Sequence, residues 1–198
     1  IGHTEYLAEK DGSESLMILM SKDLKVATIT THIPISKVSK SLTRKKISEK
    51  ITILHKSLRR DFNIKNPKIA VSSLNPHSGE EGSIGNEEVK TIVPCINNLK
   101  KMGMKIEGPL PADTLFYKKS LNKFDARICM FHDQALIPLK TLDFYGGINY
   151  TAGLSFVRTS PDHGTAFNLA GKNKANPKSF IYAINQAFII SKNRKINE

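Results

Sequence analysis

The sequence predicts an α/β fold in which helices cover a largely parallel sheet. Short apolar runs typical of buried strands alternate with amphipathic helical segments, and connections of that length favour parallel pairing. Of the 198 residues, 39% are hydrophobic, which suffices for a sizeable core, and no composition extreme indicates disorder or a fibre. We therefore expect an α/β sandwich whose loops gather at the carboxyl ends of the strands.

The first third of the chain predicts three strands and one long helix. Two apolar runs, residues 16–20 and 24–29, flank a turn-forming stretch, which predicts a hairpin or two adjacent strands. From Ser36, the predicted N-cap, apolar residues recur every three to five positions as far as Phe62, with Lys and Arg between them. This pattern predicts one amphipathic helix, and Asn66-Pro67 separates it from a third strand over residues 68–73.

The remainder predicts two further helices and one buried strand. A loop with Gly79, Gly82 and Gly85 leads into a helix at about residues 86–102, which Pro94 is expected to kink. Residues 126–131 predict a short buried strand, and the stretch beyond it is interpreted as rich in loops. The last helix covers about residues 179–192 and carries one wide apolar face: Phe180, Ile181, Ile184, Ala187, Phe188 and Ile190.

Composition limits the functional classes. The formal net charge of +12 raises the possibility of a polyanionic partner, but Lys outnumbers Arg 24 to 6 and there is no Trp, which argues against a nucleic-acid-binding module. The apolar runs are too short to span a bilayer, and no leader precedes them. The two cysteines, Cys95 and Cys129, lie within a predicted helix and a predicted strand, so we expect reduced thiols and a cytoplasmic protein without membrane partners.

Three of the six histidines directly follow strand-like runs: His32, His77 and His132. In a parallel sheet those strand ends share one edge, so the three rings could converge there. Three imidazole ligands suit a catalytic divalent metal, because they leave coordination positions of the metal open for substrate or water. Spacing alone leaves a second interpretation open, because a histidine at a strand end more often makes ordinary hydrogen bonds. His55, in the charged part of the first long helix, is interpreted as a surface residue.

Lys140, Asn149 and Arg158 predict a pocket for a phosphate or carboxylate group. The alternative is that these side chains lie on the solvated surface, as most lysines here are expected to do. Arg158 ends an apolar run, so we expect it to have a polar or charged partner. The glycines at 79, 82 and 85 lack the Lys-Ser/Thr of a phosphate-binding P-loop and the spacing of a dinucleotide fingerprint. They predict a flexible loop that carries His77.

Six motifs then occur in order along the chain. They are GHTE at 2–5, THIP at 31–34, LNPHSGE at 74–80, GPLPADTLF at 108–116, HDQ at 132–134 and RTSPDHGTA at 158–166. Together they closely resemble the 4-hydroxythreonine-4-phosphate dehydrogenase family of vitamin B6 biosynthesis, over essentially the whole chain.

The resemblance implies an activity. It is a metal-dependent oxidation of 4-phosphooxy-L-threonine by NAD or NADP, with decarboxylation to 3-amino-2-oxopropyl phosphate, in a homodimer whose active site lies at the interface. It also implies a set of site residues: metal ligands His32, His77 and His132 for Zn, Mg or Co, and substrate contacts from His3, Thr4, Lys140, Asn149 and Arg158. Asp113 and Asp133 are candidates for catalytic proton acceptors or for orienting groups, and we do not choose between these roles.

A second resemblance concerns residues 163–177, which are similar to the adenosine-binding loop of isocitrate and isopropylmalate dehydrogenases. It implies a three-layer sandwich of that type and cofactor contacts from His163, Gly164, Thr165, Ala166 and Asn176. We expect residues 1–165 to form the metal- and substrate-binding α/β domain. Residues 166–198 would carry the cofactor loop and a helix returning to an amino-terminal part of the fold that this sequence lacks. The apolar face of that helix would then be uncovered, which predicts association.

One further alternative remains within the same chemistry. A sister dehydrogenase acting on phosphorylated threonate or erythronate would use the same metal and phosphate residues. None of the motifs distinguishes an amino group from a hydroxyl group beside the substrate carboxylate.

Overall fold

Seven strands form one mixed sheet in the computed structural model, which describes residues 3–164 and 167–197. In chain order they are β1 (Leu16–Met20), β2 (Lys25–Thr28), β3 (Lys68–Ser72), β4 (Lys105–Leu110), β5 (Ala126–Cys129), β6 (Ile148–Ala152) and β7 (Thr159–Pro161). Their order across the sheet is β4-β3-β5-β2-β1-β6-β7.

The prediction of a largely parallel sheet is confirmed for half of the sheet. Strand β5 pairs in parallel with β2 and β3, and β3 pairs in parallel with β4. The predicted pairing of the first two strands is confirmed, since β1 and β2 are antiparallel neighbours. Strands β6 and β7, which the sequence analysis does not identify, extend the other half in antiparallel fashion. The carboxyl ends of β2, β3 and β5 therefore share one edge.

Helices cover both faces of this sheet. They are α1 (His3–Asp11), α2 (Ile35–Ser41), α3 (Arg44–Arg60), α4 (Val93–Lys101), α5 (Lys118–Leu121), α6 (His132–Leu142) and α7 (Lys178–Asn197). Alternating residues of β1 face opposite layers: Ile18 packs in the large core with residues of α3, α4 and α7, whereas Leu19 packs with Ala135 and Leu139 of α6. The three-layer α/β sandwich is thus confirmed.

The single helix predicted for residues 36–62 is wrong. Helix α2 begins at Ile35 after Pro34, so Ser36 is not its N-cap, and a break separates Ser41 from Arg44. Thr43 is extended at this break, and its hydroxyl accepts a hydrogen bond from the Lys46 amide at 3.2 Å. A threonine hydroxyl that caps a new helix competes with continuation of the preceding one, which explains the interruption.

Two other predicted segments also differ from the structure. A π-helical turn over Glu88–Ile92 precedes α4, and Pro94 lies in the first turn of α4, where a missing N–H is tolerated. The stretch after residue 131 is not rich in loops, because α6 begins there and buries Ala135 and Leu139 against the sheet. Lys140 therefore lies on a helix.

The final helix is confirmed and runs longer than predicted. Ala183 and Ile190 of α7 belong to the large core, while Phe180, Ile184 and Phe188 are 56%, 55% and 73% exposed. The expected uncovered apolar face is therefore present. No helix in the described ranges is long and apolar enough to cross a membrane, and both cysteines are free, buried thiols.

Candidate functional site

A cavity of about 340 Å³ lies beside the end of β2 and the start of α6. Five predicted site residues line it, from four separate parts of the chain: His3, Thr4, His32, His132 and Asn149. They come from α1, from the segment after β2, from the first residue of α6 and from β6. The fold thus brings together residues that are as much as 146 positions apart in sequence.

Two of the three histidines that line this cavity, His32 and His132, are neighbours, with ring centroids 5.7 Å apart. The parallel register explains this, because Thr28 lies opposite Cys129 and pairing continues beyond the strands through an Ile29 N–H to Cys129 carbonyl bond of 2.8 Å. The segments leaving β2 and β5 consequently run side by side and present His32 and His132 together.

Two of the three predicted metal ligands, His132 and His77, each lie close to a carboxylate. His132 Nδ1 lies 2.7 Å from Asp133 Oδ1, and His77 Nδ1 lies 3.2 Å from Glu80 Oε1. A carboxylate on Nδ1 fixes the tautomer that offers Nε2 to a metal. The donor chemistry of these imidazoles therefore fits a divalent metal.

The three histidines do not meet within one chain. The His77 side chain is 71% exposed, on the turn after β3, and it does not line the cavity. Within residues 3–164 and 167–197, no three His, Cys, Asp or Glu side chains are placed to hold one ion together. One copy of the chain supplies the pair His32 and His132.

Arg158 and Lys140 flank the same cavity. Arg158 Nη1 donates to the hydroxyls of Thr4 at 3.3 Å and Thr151 at 3.1 Å, and burial lowers the pKa of Arg158. Since a guanidinium has five N–H donors, it retains further donors for an anion. Lys140 Nζ lies 2.9 Å from Oδ2 of Asp162, which itself lines the cavity.

Two buried oxygens in the cavity wall favour a polar ligand. Asn149 Oδ1 and Thr28 Oγ1 are buried and, among the described residues, have no hydrogen-bond partner. Burying a polar atom without a hydrogen-bond partner costs desolvation free energy. Such atoms at a cavity wall therefore favour a bound group that completes their hydrogen bonds. Thr28 is only 2% exposed and belongs to β2.

Among the polar residues of this wall that the sequence did not single out are Thr28, Lys46, Lys50 and Asp162. The two lysines are one turn apart on α3, and that spacing was the available signal. Lys50 Nζ donates to the Ser15 carbonyl at 2.5 Å, and burial lowers the pKa of Lys50.

The remaining predicted site residues that the structure describes lie outside this cavity. Asp113 and Asp133 line an adjoining cavity of about 430 Å³ with an apolar wall that includes Phe116 and Ile137. His163 is exposed, with Nδ1 3.0 Å from the Gly164 carbonyl, and Asn176 Oδ1 accepts from the Lys178 amide at the start of α7. Thr165 and Ala166 lie outside the described residues. His55 is partly buried on α3, also away from the cavity, and burial lowers its pKa.

Comparisons with known proteins identify one family. The family model described as "Pyridoxal phosphate biosynthetic protein PdxA" matches residues 1–187. The 4-hydroxythreonine-4-phosphate dehydrogenase of Roseobacter denitrificans is 52% identical over 188 residues, covering 94% of this chain and 58% of that protein. The enzyme of the same name from Paracoccus denitrificans is 46% identical over 191 residues, covering 94% and 59%.

Solved structures are similar as well. A crystal structure of 4-hydroxythreonine-4-phosphate dehydrogenase from Klebsiella pneumoniae matches with a TM-score of 0.85 and 40% identity, over 96% of this chain and 58% of that one. A terephthalate 1,2-cis-dihydrodiol dehydrogenase from Burkholderia xenovorans, at 24% identity and a TM-score of 0.78, shares the fold. The chain spans about three fifths of the length of the relatives it matches.

Proposed function

Because this chain belongs to the PdxA family of pyridoxal phosphate biosynthetic proteins, we propose that it acts as a 4-hydroxythreonine-4-phosphate dehydrogenase. The reaction is the oxidation of 4-phosphooxy-L-threonine by NAD or NADP, with loss of CO2 to give 3-amino-2-oxopropyl phosphate. The observation that carries this proposal is the cavity in which His3, Thr4, His32, His132 and Asn149 meet.

Cationic and amide groups would bind the substrate phosphate. Arg158 is anchored by two hydroxyls and keeps donors for phosphate oxygens, and Lys140 adds a second positive charge. Asn149, His3 and Thr4 complete the polar wall of the cavity. Binding a phosphate remote from the reacting carbon fixes the orientation of the secondary hydroxyl.

His32, His77 and His132 would hold a divalent metal, Zn, Mg or Co. A bound metal would lower the pKa of the substrate hydroxyl and accept negative charge from the new ketone during decarboxylation. Since one chain brings only two of the three rings together, we propose that two copies complete the site in a homodimer, with histidines contributed from both.

The aspartates and the cofactor segment take separate roles. Asp133 would orient His132 through the 2.7 Å contact, and Asp113, exposed in the adjoining cavity, stays a candidate for an orienting group or a proton acceptor. Bound NAD or NADP would supply the hydride acceptor for the substrate carbon. Cofactor contacts would come from His163, Gly164, Thr165, Ala166 and Asn176.

On this proposal residues 1–165 form the metal- and substrate-binding domain, and residues 166–198 form the cofactor loop and the helix that follows it. The enzyme would work in the cytoplasm on a small phosphorylated substrate, without nucleic acid.

Formation of NADH or NADPH tests the proposal. Purified protein is mixed with 4-phosphooxy-L-threonine, a divalent metal and either nucleotide, and absorbance at the reduced nicotinamide band is followed. Turnover that a chelator abolishes supports the assignment. A parallel reaction with phosphorylated threonate or erythronate decides between this enzyme and the sister activity, and turnover of neither substrate contradicts the proposal.

A further inference from the structure

The turn that carries His77 has an unusual backbone. His77, Ser78, Gly79, Glu80 and Glu81 all have positive φ, at 52°, 54°, 78°, 40° and 55°. This is a left-handed helical turn, and four of its five residues have side chains that disfavour the conformation. Such a segment persists only where its surroundings hold it in place, and backbone strain of this kind concentrates at functional sites.

A buried carboxylate lies beneath this turn. Glu88, in the π-helical turn before α4, is 1% exposed. Its Oε1 accepts hydrogen bonds from the backbone amides of Leu74 and Asn75, both at 2.8 Å, and its Oε2 accepts from Asn75 Nδ2 at 2.8 Å. These bonds fix the chain immediately before Pro76, where the left-handed turn begins.

The same carboxylate also contacts the middle of the turn. A Cβ atom on Gly79 would lie 2.8 Å from Glu88 Oε2, so the carboxylate packs directly against the glycine backbone. Two hydrogen bonds close the far side, from the Ser83 and Ile84 amides to the carbonyls of Glu80 and Gly79, each at 3.0 Å. Glu88 thus touches both the entry and the centre of the segment.

The partners of Glu88 are amides, and in the described part of the chain it forms no salt bridge. A buried carboxylate is costly, and three amide donors offset that cost only while the turn keeps this conformation. We infer that Glu88 is a positioning residue that holds the left-handed turn and thereby sets the direction of the His77 imidazole. The inference rests on the proposed metal-binding role of His77.

Zn²⁺ affinity in competition with a chromophoric chelator tests this inference on the whole chain. The variant Glu88→Gln keeps the size of the side chain but loses the charge and one acceptor. We expect its Zn²⁺ affinity to fall by about 10- to 100-fold, as for other groups that orient metal ligands. Glu81→Gln, an exposed glutamate of the same turn, is the matched control and should leave the affinity unchanged.

The His77→Ala background separates positioning from general stability. If Glu88 acts through His77, adding Glu88→Gln to His77→Ala causes no further loss of affinity. An equal loss in both backgrounds overturns the inference, as does unchanged affinity in Glu88→Gln when His77→Ala alone lowers it. Unchanged affinity in His77→Ala instead contradicts the proposed metal role of His77, and with it the positioning role.

A milder variant covers the case in which Glu88→Gln does not fold. Asn75→Ala removes the side-chain bonds to Glu88 Oε2 and Glu87 Oε2 but keeps both backbone amides. Circular dichroism confirms folding, and a several-fold loss of Zn²⁺ affinity is expected. Full affinity in folded Asn75→Ala would then overturn the inference.

Discussion

Asp133 Oδ1 lies 2.7 Å from Nδ1 of His132, at the first turn of α6. A carboxylate at Nδ1 favours the tautomer that carries its proton there and leaves Nε2 free to accept. The contact joins one residue of the 340 Å³ cavity to one residue of the adjoining apolar cavity. On the proposed metal-binding role of His132, consecutive residues of one helix would supply the ligand and the group that orients it.

Asp133→Asn tests this relationship. The amide can no longer accept a charge-assisted hydrogen bond from His132, so we expect divalent-metal affinity to fall by about 10- to 100-fold with little change in folding. Equilibrium dialysis against Zn²⁺ gives the affinity. Asp23→Asn, an exposed aspartate in the β1–β2 turn, should match the wild type, and an equal affinity for Asp133→Asn would show that the contact orients nothing.

The end of α7 is fastened by a buried ionic network around Asp61. This fully buried carboxylate accepts hydrogen bonds from four side chains: Ser57, Arg60, Tyr150 and Arg194. Burial by itself would raise the pKa of Asp61, but the hydrogen bonds and the charge of Arg194 outweigh it and hold the pKa below 3.8. Asp61→Asn leaves buried Arg194 uncompensated and should cost about 3–5 kcal/mol in urea unfolding at pH 7.

The acid dependence of this network has a definite sign. Because the pKa of Asp61 is lower in the folded state, its stabilisation is complete above about pH 5 and is lost as the pH falls below about 4. The stability difference between wild type and Asp61→Asn should therefore shrink between pH 6 and pH 3. A difference that stays constant over this range would contradict the assignment.

Arg158 is expected to tolerate no conservative replacement. Its Nη1 bridges the hydroxyls of Thr4 and Thr151, and lysine cannot keep this bridge while also donating to a phosphate. Arg158→Lys should weaken binding of 4-phosphooxy-L-threonine by about 10-fold or more, since hydrogen bonds to charged groups contribute roughly 1.5–3 kcal/mol. Calorimetric titration measures the effect. Arg59→Lys, an exposed change on α3, serves as the control, and equal affinities would remove Arg158 from the phosphate site.

Glu81 occupies a backbone conformation that suits glycine, with φ at 55°. Glu81→Gly relieves that strain at some cost in unfolded-state entropy, and we expect a net stabilisation of about 0.5–1 kcal/mol, seen as a higher Tm. Glu49→Gly in the exposed part of α3 should instead destabilise by about 1 kcal/mol. A lower Tm for Glu81→Gly would mean that the Glu81 side chain stabilises the folded state by more than the backbone strain destabilises it.

The residues at the sheet edge could be predicted from the sequence, whereas the local turns around that edge could not. The strand runs before His32 and His132 predicted strand ends on one edge of a parallel sheet, and the parallel pairing of β2 with β5 then places the two rings together. Thr43 broke the predicted long helix because a local side-chain cap competes with periodicity. The left-handed turn at His77 could not be predicted, since it depends on Glu88, which approaches from a separate helical turn.

The most direct test of the central claim is Zn²⁺ binding by His32 and His132. Equilibrium dialysis compares the wild type with His32→Ala, His132→Ala and the control His55→Ala, whose ring lies on α3 away from the cavity. We predict that the wild type and His55→Ala bind Zn²⁺ alike and that both cavity variants lose tight binding while remaining folded. Undiminished binding by His32→Ala and His132→Ala would contradict the account.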